Sequence, residues 1–170
     1  MKKKILILSS TINFIDIFLY DAVDKLSNDY EIHIITNFKD IKNVYNNSIK
    51  TYNYPISRRP SLLFDLWYVL RIVLKTKFIN PTYLITVTPK GGFIGSFISL
   101  LCPSIIRKHI FTGQLWYNKK TYKRFLLKLI DKFIFYNSHS IIVDSHSQKK
   151  FLISENFNSN KISTISNGSI

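Results

Sequence analysis

Apolar and polar residues follow one another along this chain in two rhythms. Short, nearly unbroken apolar runs are separated by longer segments with apolar positions at three- and four-residue spacing. Runs of the first kind predict strands buried on both faces, and the second kind predicts helices. The pattern gives strand Ile5–Leu8, helix Phe14–Leu26, strand Glu31–Thr36 and a weaker strand Lys50–Tyr54. Ser61 can cap a helix reaching Lys77, and strand Tyr83–Val87 follows. Next come helix Gly92–Leu101, stopped ahead of Pro103, and strand Arg107–Phe111. Helix Lys119–Tyr136 and strand Ser140–Val143 precede a helix opened by Ser145, with Gln148 three residues on as a capping box. Lys161–Ile165 is the last strand. Helices regularly interposed between near-continuous apolar strands predict a doubly wound parallel α/β sheet with helices on both faces.

Two predicted helices carry more apolar surface than one core needs. In 119–136, Tyr122, Phe125, Leu126, Leu129, Ile130 and Phe133 form the spacing of a core-facing stripe. Leu127, Ile134 and Phe135 widen it, and Arg124, Lys128 and Lys132 line the other side. A wide apolar face with a basic rim suits a core helix with a solvated basic side, and equally a helix lying in a membrane interface. The segment Leu62–Ile79, with Trp67, Tyr68, Arg71, Lys75 and Lys77, has the same character.

Charge sharpens that choice. The chain has 24 Lys and Arg against 10 Asp and Glu, a net charge of +14 over 170 residues. Such a balance favours an anionic partner: a membrane surface, nucleic acid or a phosphorylated substrate. Residues 107–132 hold eight basic side chains, Lys120, Lys123, Arg124 and Lys128 among them, against Asp131 alone. The single cysteine, Cys102, excludes an internal disulfide and reads as a small buried apolar residue in a reducing compartment. The basic start and the run Ile5–Leu8 resemble a signal peptide, but the run breaks at Ser9-Ser10-Thr11. The longest uncharged stretch, Gly91–Ile106, is short for a bilayer span.

In a parallel sheet, ligands bind beyond the carboxyl ends of the strands, so the residues after each strand are the ones to read for chemistry. Ser10 follows the first strand. Thr88-Pro89-Lys90-Gly91-Gly92 follows another and opens a helix; the glycines allow close backbone approach, and Lys90 favours a phosphate. Thr112-Gly113-Gln114-Leu115-Trp116 offers an amide for sugar hydroxyls and a flat face for a sugar ring. Asp144, Ser145 and His146 can line the cleft, although helix capping alone accounts for the first two. A plain turn with a half-buried Trp explains Trp116 equally well. There is no Gly-x-Gly-x-x-Gly, no phosphate-binding Gly-Lys-Ser/Thr loop, no Gly-x-Ser-x-Gly and no metal-ligand spacing.

Taken together, Thr88-Pro89-Lys90-Gly91-Gly92, Phe111 to Trp116, Asp144 to Gln148 with Phe151-Leu152-Ile153, and Gly168-Ser169-Ile170 resemble the amino-terminal half of family 4 glycosyltransferases. The resemblance is to bacterial enzymes that build capsule or O-antigen, and Arg58 with Asp65 and Leu66 fits it. It implies one Rossmann-like half of a GT-B enzyme, retaining and dependent on a nucleotide-sugar as donor substrate, with no cofactor and no metal. Residues 1–166 would form the acceptor-side domain and 167–170 the start of an interdomain linker. The glycine-rich first loop of the family is replaced by Ser9-Ser10-Thr11, and the donor-binding carboxyl-terminal domain is expected from a missing segment or a separate chain.

The resemblance implies a polyprenyl-diphosphate-linked sugar acceptor and a protein that is cytoplasmic and peripheral on the inner membrane face. Lys90, Gly91 and Gly92 would lie near phosphate. Thr112, Gly113, Gln114 and Trp116 would contact the acceptor sugar, with Ser10, Arg58, Asp144, Ser145 and His146 lining the cleft. Trp67, Lys120, Lys123, Arg124 and Lys128 would face the anionic membrane. Two rival readings are a non-catalytic docking subunit of a split enzyme and a basic nucleic-acid-binding module, although no specific nucleic-acid motif is present.

Overall fold

The sheet is built around Lys4–Leu8 and Glu31–Thr36, which are buried on both faces, while strands towards its edges such as Ile49–Asn53 and Ile162–Thr164 keep exposed positions. The computed structural model describes residues 2–37, 49–56 and 62–165. Its strands are β1 (Lys4–Leu8), β2 (Glu31–Thr36), β3 (Ile49–Asn53) and β4 (Tyr83–Val87). They continue as β5 (Ile106–Phe111), β6 (Ser140–Val143) and β7 (Ile162–Thr164). All pairings are parallel, in the order β3-β2-β1-β4-β5-β6-β7. The order reverses between β1 and β4, which pair from Ile5 opposite Tyr83 to Leu8 opposite Thr86.

The helices are α1 (Ile12–Phe14), which continues through a π-helical turn (Ile15–Leu19) into α2 (Tyr20–Ser27), then α3 (Leu62–Ile79), α4 (Pro89–Leu101), α5 (Thr121–Tyr136) and α6 (His146–Ser154). The predicted helix Phe14–Leu26 is therefore a longer element with a π turn inside it. Pro89 starts α4 three residues earlier than predicted, because its fixed φ and missing N–H suit a first helical position. The predicted cap at Ser61 and the site residue Arg58 lie outside the described residues.

Alternating strand residues separate the core into layers, since successive side chains point to opposite faces. Ile5, Ile7, Ile32 and Ile34 pack with Ile12, Ile15 and Val23 from α1 to α2. Leu6, Leu8 and Leu84 pack on the other face with Ile72 and Val73 of α3 and Ile94 and Ile98 of α4. On that same face Phe111, Ile141 and Val143 meet Ile134 and Phe135 of α5, Leu152 of α6, and Trp116. Helix α4 lies between α3 and α5, touching both.

The predicted stripe on α5 points the opposite way except at Phe133, which packs against Phe93 and Phe97 of α4. Tyr122 and Phe125 are each 63% exposed, and Leu126, Leu129 and Ile130 are exposed as well. The inward face is instead made by Ile134, Phe135, Asp131 and partly Leu127. Arg124 and Lys128, expected on a solvated or membrane side, turn inward over the indole of Trp116, at 5.2 and 5.6 Å from its ring centre. Both pair with Glu155. The physical reason is that these side chains find partners on the body of the domain, while the helix is apolar enough to offer a second face.

Candidate functional site

The carboxyl ends of β1 and β4 lie side by side at the point where strand order reverses, the position at which such sheets open a crevice. Thr88 is the hub of this edge. The Ser10 N–H donates to its Oγ1 at 3.2 Å, and the Ser10 hydroxyl lies 2.9 Å from the same oxygen. The Gly91 N–H donates to it at 3.3 Å, so Thr88 also caps α4. These bonds hold Thr88 at φ +66°, ψ 150°, a conformation that a β-branched residue avoids. Strain of this kind is kept where surrounding structure over-determines it, and such positions cluster at ligand sites. The sequence motif includes Thr88 but carries no signal of its strain, which is a property of the fold.

The two glycines serve packing. A Cβ on Gly91 would lie 2.9 Å from the Leu8 carbonyl oxygen. One on Gly92 would lie 2.5 Å from His109 Cε1. The Gly92 N–H donates to the Thr88 carbonyl at 2.8 Å, so it is used within the turn. Lys90 is half-buried beside them.

Beneath α4 lies a polar cluster that sequence reasoning missed. Arg107 is fully buried, and its guanidinium donates to the Gly92 carbonyl at 2.6 Å, Ser96 Oγ at 2.9 Å and the Asn137 carbonyl at 3.2 Å. Its Nε donates to Thr86 Oγ1 at 3.3 Å. Thr86 Oγ1 also lies 2.8 Å from His109 Nδ1, within hydrogen-bond distance. Burial lowers Arg107 to about 9, so it stays charged at neutral pH. Burial, aided by the Arg107 charge, holds His109 well below the ordinary histidine range, so it stays neutral. The arrangement fixes the carbonyl side of the first turn of α4 from below.

The next two strands carry a second constellation. The Gln148 Nε2 donates to Gln114 Oε1 at 3.3 Å, and the Asp144 N–H donates to Gln148 Oε1 at 3.0 Å. Ser145 Oγ accepts the Gln148 N–H at 3.2 Å. The capping box is thus present but displaced by one residue, since Gln148 reaches Asp144 and not Ser145. Gln114 is oriented by this bridge, and its own Nε2 is buried with no acceptor among the described residues. A buried amide donor without an acceptor costs free energy unless a ligand supplies one. Gly113 takes φ +105°, which turns the chain from β5 toward Gln114. Thr112 and Gly113 are exposed, as is His146, the first residue of α6.

Trp116 departs from the expected open platform. It is fully buried, stacked near Phe151 and Phe157, and its Nε1–H donates to Asp131 Oδ2 at 2.7 Å. No face of the ring is left for a sugar. Burial raises Asp131 to about 6 despite that hydrogen bond. Trp67, by contrast, is 58% exposed. Among the described residues no group of His, Cys, Asp and Glu is placed to hold a metal ion.

No protein-family model matches the chain. It is similar to the capsular polysaccharide biosynthesis glycosyltransferase CapM of Staphylococcus aureus, with 30% identity over 141 residues, covering 82% of this chain and 37% of that protein. A UDP-N-acetylglucosamine 2-epimerase from Rickettsia bellii superposes with a TM-score of 0.73 at 11% identity, over 96% of this chain and 44% of that one. A sucrose-phosphate synthase from Thermosynechococcus elongatus gives 0.72 at 12% identity, over 96% and 48%. The chain thus spans about a third of the curated relative and just under half of these structures. The structural likeness establishes the fold: a Rossmann-like α/β sheet of the kind that forms one half of a GT-B architecture.

Proposed function

We propose that this chain is the acceptor-side half of a nucleotide-sugar-dependent, retaining glycosyltransferase that builds bacterial surface polysaccharide of the capsular type. The observation that carries the reading is the 30% identity to a capsular glycosyltransferase across most of the chain. The geometry supports it. Gln114, held by Gln148 and left with an unspent amide donor, suits a sugar hydroxyl. Lys90, at the head of α4, suits the diphosphate of a polyprenyl-diphosphate-linked acceptor. Ser10, buried and bonded to Thr88, holds Thr88 in place beside Lys90 at the switch in strand order. The donor nucleotide-sugar is a substrate held by a second Rossmann-like unit, in the same chain or another, and this half orients the attacking hydroxyl toward it.

The test is binding of a soluble short-prenyl diphosphate N-acetylhexosamine, followed by the amide NMR shifts of the chain. Saturable shifts at Gln114 and Lys90, weakened about tenfold or more in Gln114→Ala and in Lys90→Ala, are expected. Tight binding of UDP-sugars at these residues, with no response to the prenyl compound, would place this half on the donor side and overturn the reading.

A further inference from the structure

A side-chain amide has a donor end and an acceptor end, and its neighbours decide which way round it sits. Gln148, 9% exposed in the first turn of α6, meets two backbone groups that have no choice of role. The Asp144 N–H can only donate, and it donates to Gln148 Oε1 at 3.0 Å. The Phe111 carbonyl can only accept, and Gln148 Nε2 donates to it at 3.5 Å. Turning the amide over would set N–H against N–H and carbonyl against carbonyl. Gln148 therefore offers its remaining hydrogen to the next amide, donating to Gln114 Oε1 at 3.3 Å. The helix cap does not need this side chain, since Ser145 Oγ accepts the backbone N–H of Gln148 at 3.2 Å.

The polarity passes on to Gln114. Its oxygen is engaged by Gln148, and its Nε2 is enclosed with no acceptor among the described residues. The residue as a whole is only half-buried, and Thr112, Gly113 and Leu115 beside it are exposed, so this nitrogen lies just under the surface. Its backbone is fixed, because the Gln114 carbonyl accepts the Tyr117 N–H at 3.1 Å and Trp116 is fastened to Asp131. A group that can give a hydrogen but not take one sorts the atoms that approach it. A carbonyl or carboxylate oxygen accepts that hydrogen and has none of its own to place. A hydroxyl must find a second partner for its own hydrogen or bury it unbonded, which costs free energy.

We infer that Gln148 is a positioning residue that locks Gln114 as a hydrogen donor. Locked this way, Gln114 selects a sugar whose substituent offers an oxygen without a hydrogen, over the same sugar with a hydroxyl there. The carbonyl of an N-acyl group and the carboxylate of a uronic acid both have that chemistry. That the sugar belongs to the acceptor rests on the proposed function. The orientation of the two amides does not, because it follows from the Asp144 N–H and the Phe111 carbonyl alone.

The experiment compares soluble short-prenyl diphosphates carrying N-acetylglucosamine, glucuronic acid or glucose, at about pH 8 so that carboxylates are ionised. The wild type should bind the first or the second about tenfold more tightly than the third, and which of the two it prefers identifies the substituent. Gln148→Glu keeps the acceptor for the Asp144 N–H but has no hydrogen to give. Gln114 should then turn over, present its oxygen to the ligand, and reverse the preference in favour of glucose. Gln114→Glu keeps the bridge to Gln148, leaves α6 untouched and should reverse the preference as well. In the free wild type the side-chain amide hydrogens of Gln148 should exchange more slowly than those of Gln114, and in Gln148→Glu the Gln114 hydrogens should become the protected ones. Equal wild-type binding of all three, no binding of any, or variants that weaken all three in the same ratio would overturn the selection. Gln148 hydrogens that exchange as fast as those of Gln114 would overturn the lock. If UDP-sugars bind at Gln114 and the prenyl compounds do not, the proposed function fails, and the same ratios are read on UDP-N-acetylglucosamine, UDP-glucuronate and UDP-glucose.

Discussion

Trp116 Nε1 donates to Asp131 Oδ2 across 2.7 Å, and both residues are buried. This bond joins the turn after β5 to the second half of α5, and with it sets which side of that helix faces the core. The indole is covered by Phe151 and Phe157 and by the cations of Arg124 and Lys128, which Glu155 holds in place. A tryptophan that sequence alone offers to a ligand is here the fastening of a loop.

Burial of the Asp131 carboxyl, which outweighs that bond, makes stability depend on pH. Asp131 titrates near 6 in the folded protein against an ordinary 3.8, so between these values the folded state binds more protons than the unfolded. Its contribution is therefore fully present below about pH 4, falls as pH rises to 6, and stays lost above that. The shift corresponds to about 3 kcal/mol. Asp131→Asn keeps an acceptor for Trp116 and should remove this slope, becoming more stable than the wild type at pH 8 relative to pH 4. Urea unfolding of both proteins from pH 4 to 8 measures it; parallel profiles would refute the assignment.

Close packing of α4 on the sheet predicts an intolerant glycine. A Cβ on Gly95 would stand 2.4 Å from Thr86 Cγ2 and 3.1 Å from Arg107 Nε. Gly95→Ala should cost about 1–3 kcal/mol through overpacking, although alanine is the better helix former by about 1 kcal/mol. Thermal melts of the variant decide between the two effects by sign.

Arg107 should not be replaceable by lysine. Its planar fork spans the Gly92 carbonyl, Ser96 and the Asn137 carbonyl at once, and a single ammonium cannot. Arg107→Lys should lose about 2 kcal/mol and speed amide exchange in the first turn of α4, read by hydrogen-exchange NMR. Unchanged exchange there would mean that the cluster does not fix that turn.

Glu155 takes both cations that lie over Trp116, and they hold its carboxyl below the ordinary range, Lys128 most strongly. These groups are partly solvated, so Glu155→Gln should cost only about 1 kcal/mol, and less at high salt. Chemical denaturation at low and high salt tests this expectation.

The strands were determined locally. An uninterrupted apolar run such as Ile5–Leu8 has one good solution, a strand covered on both faces, and the structure places it as read. Ser145 as a helix cap was equally legible, since a cap acts within three residues. The positions of Lys90 and Gln114 followed from their place after a strand, because chain order fixes which strand end carries them. Tertiary structure alone decided the rest. Helix α5 has apolar residues on most sides, so periodicity could not say which face turns inward. The choice was made by Trp116, 15 residues from Asp131, and by Glu155, 31 residues from Arg124. The strain at Thr88 and the charge of Arg107 beneath α4 are likewise set by neighbours far along the chain, and no local pattern encodes them.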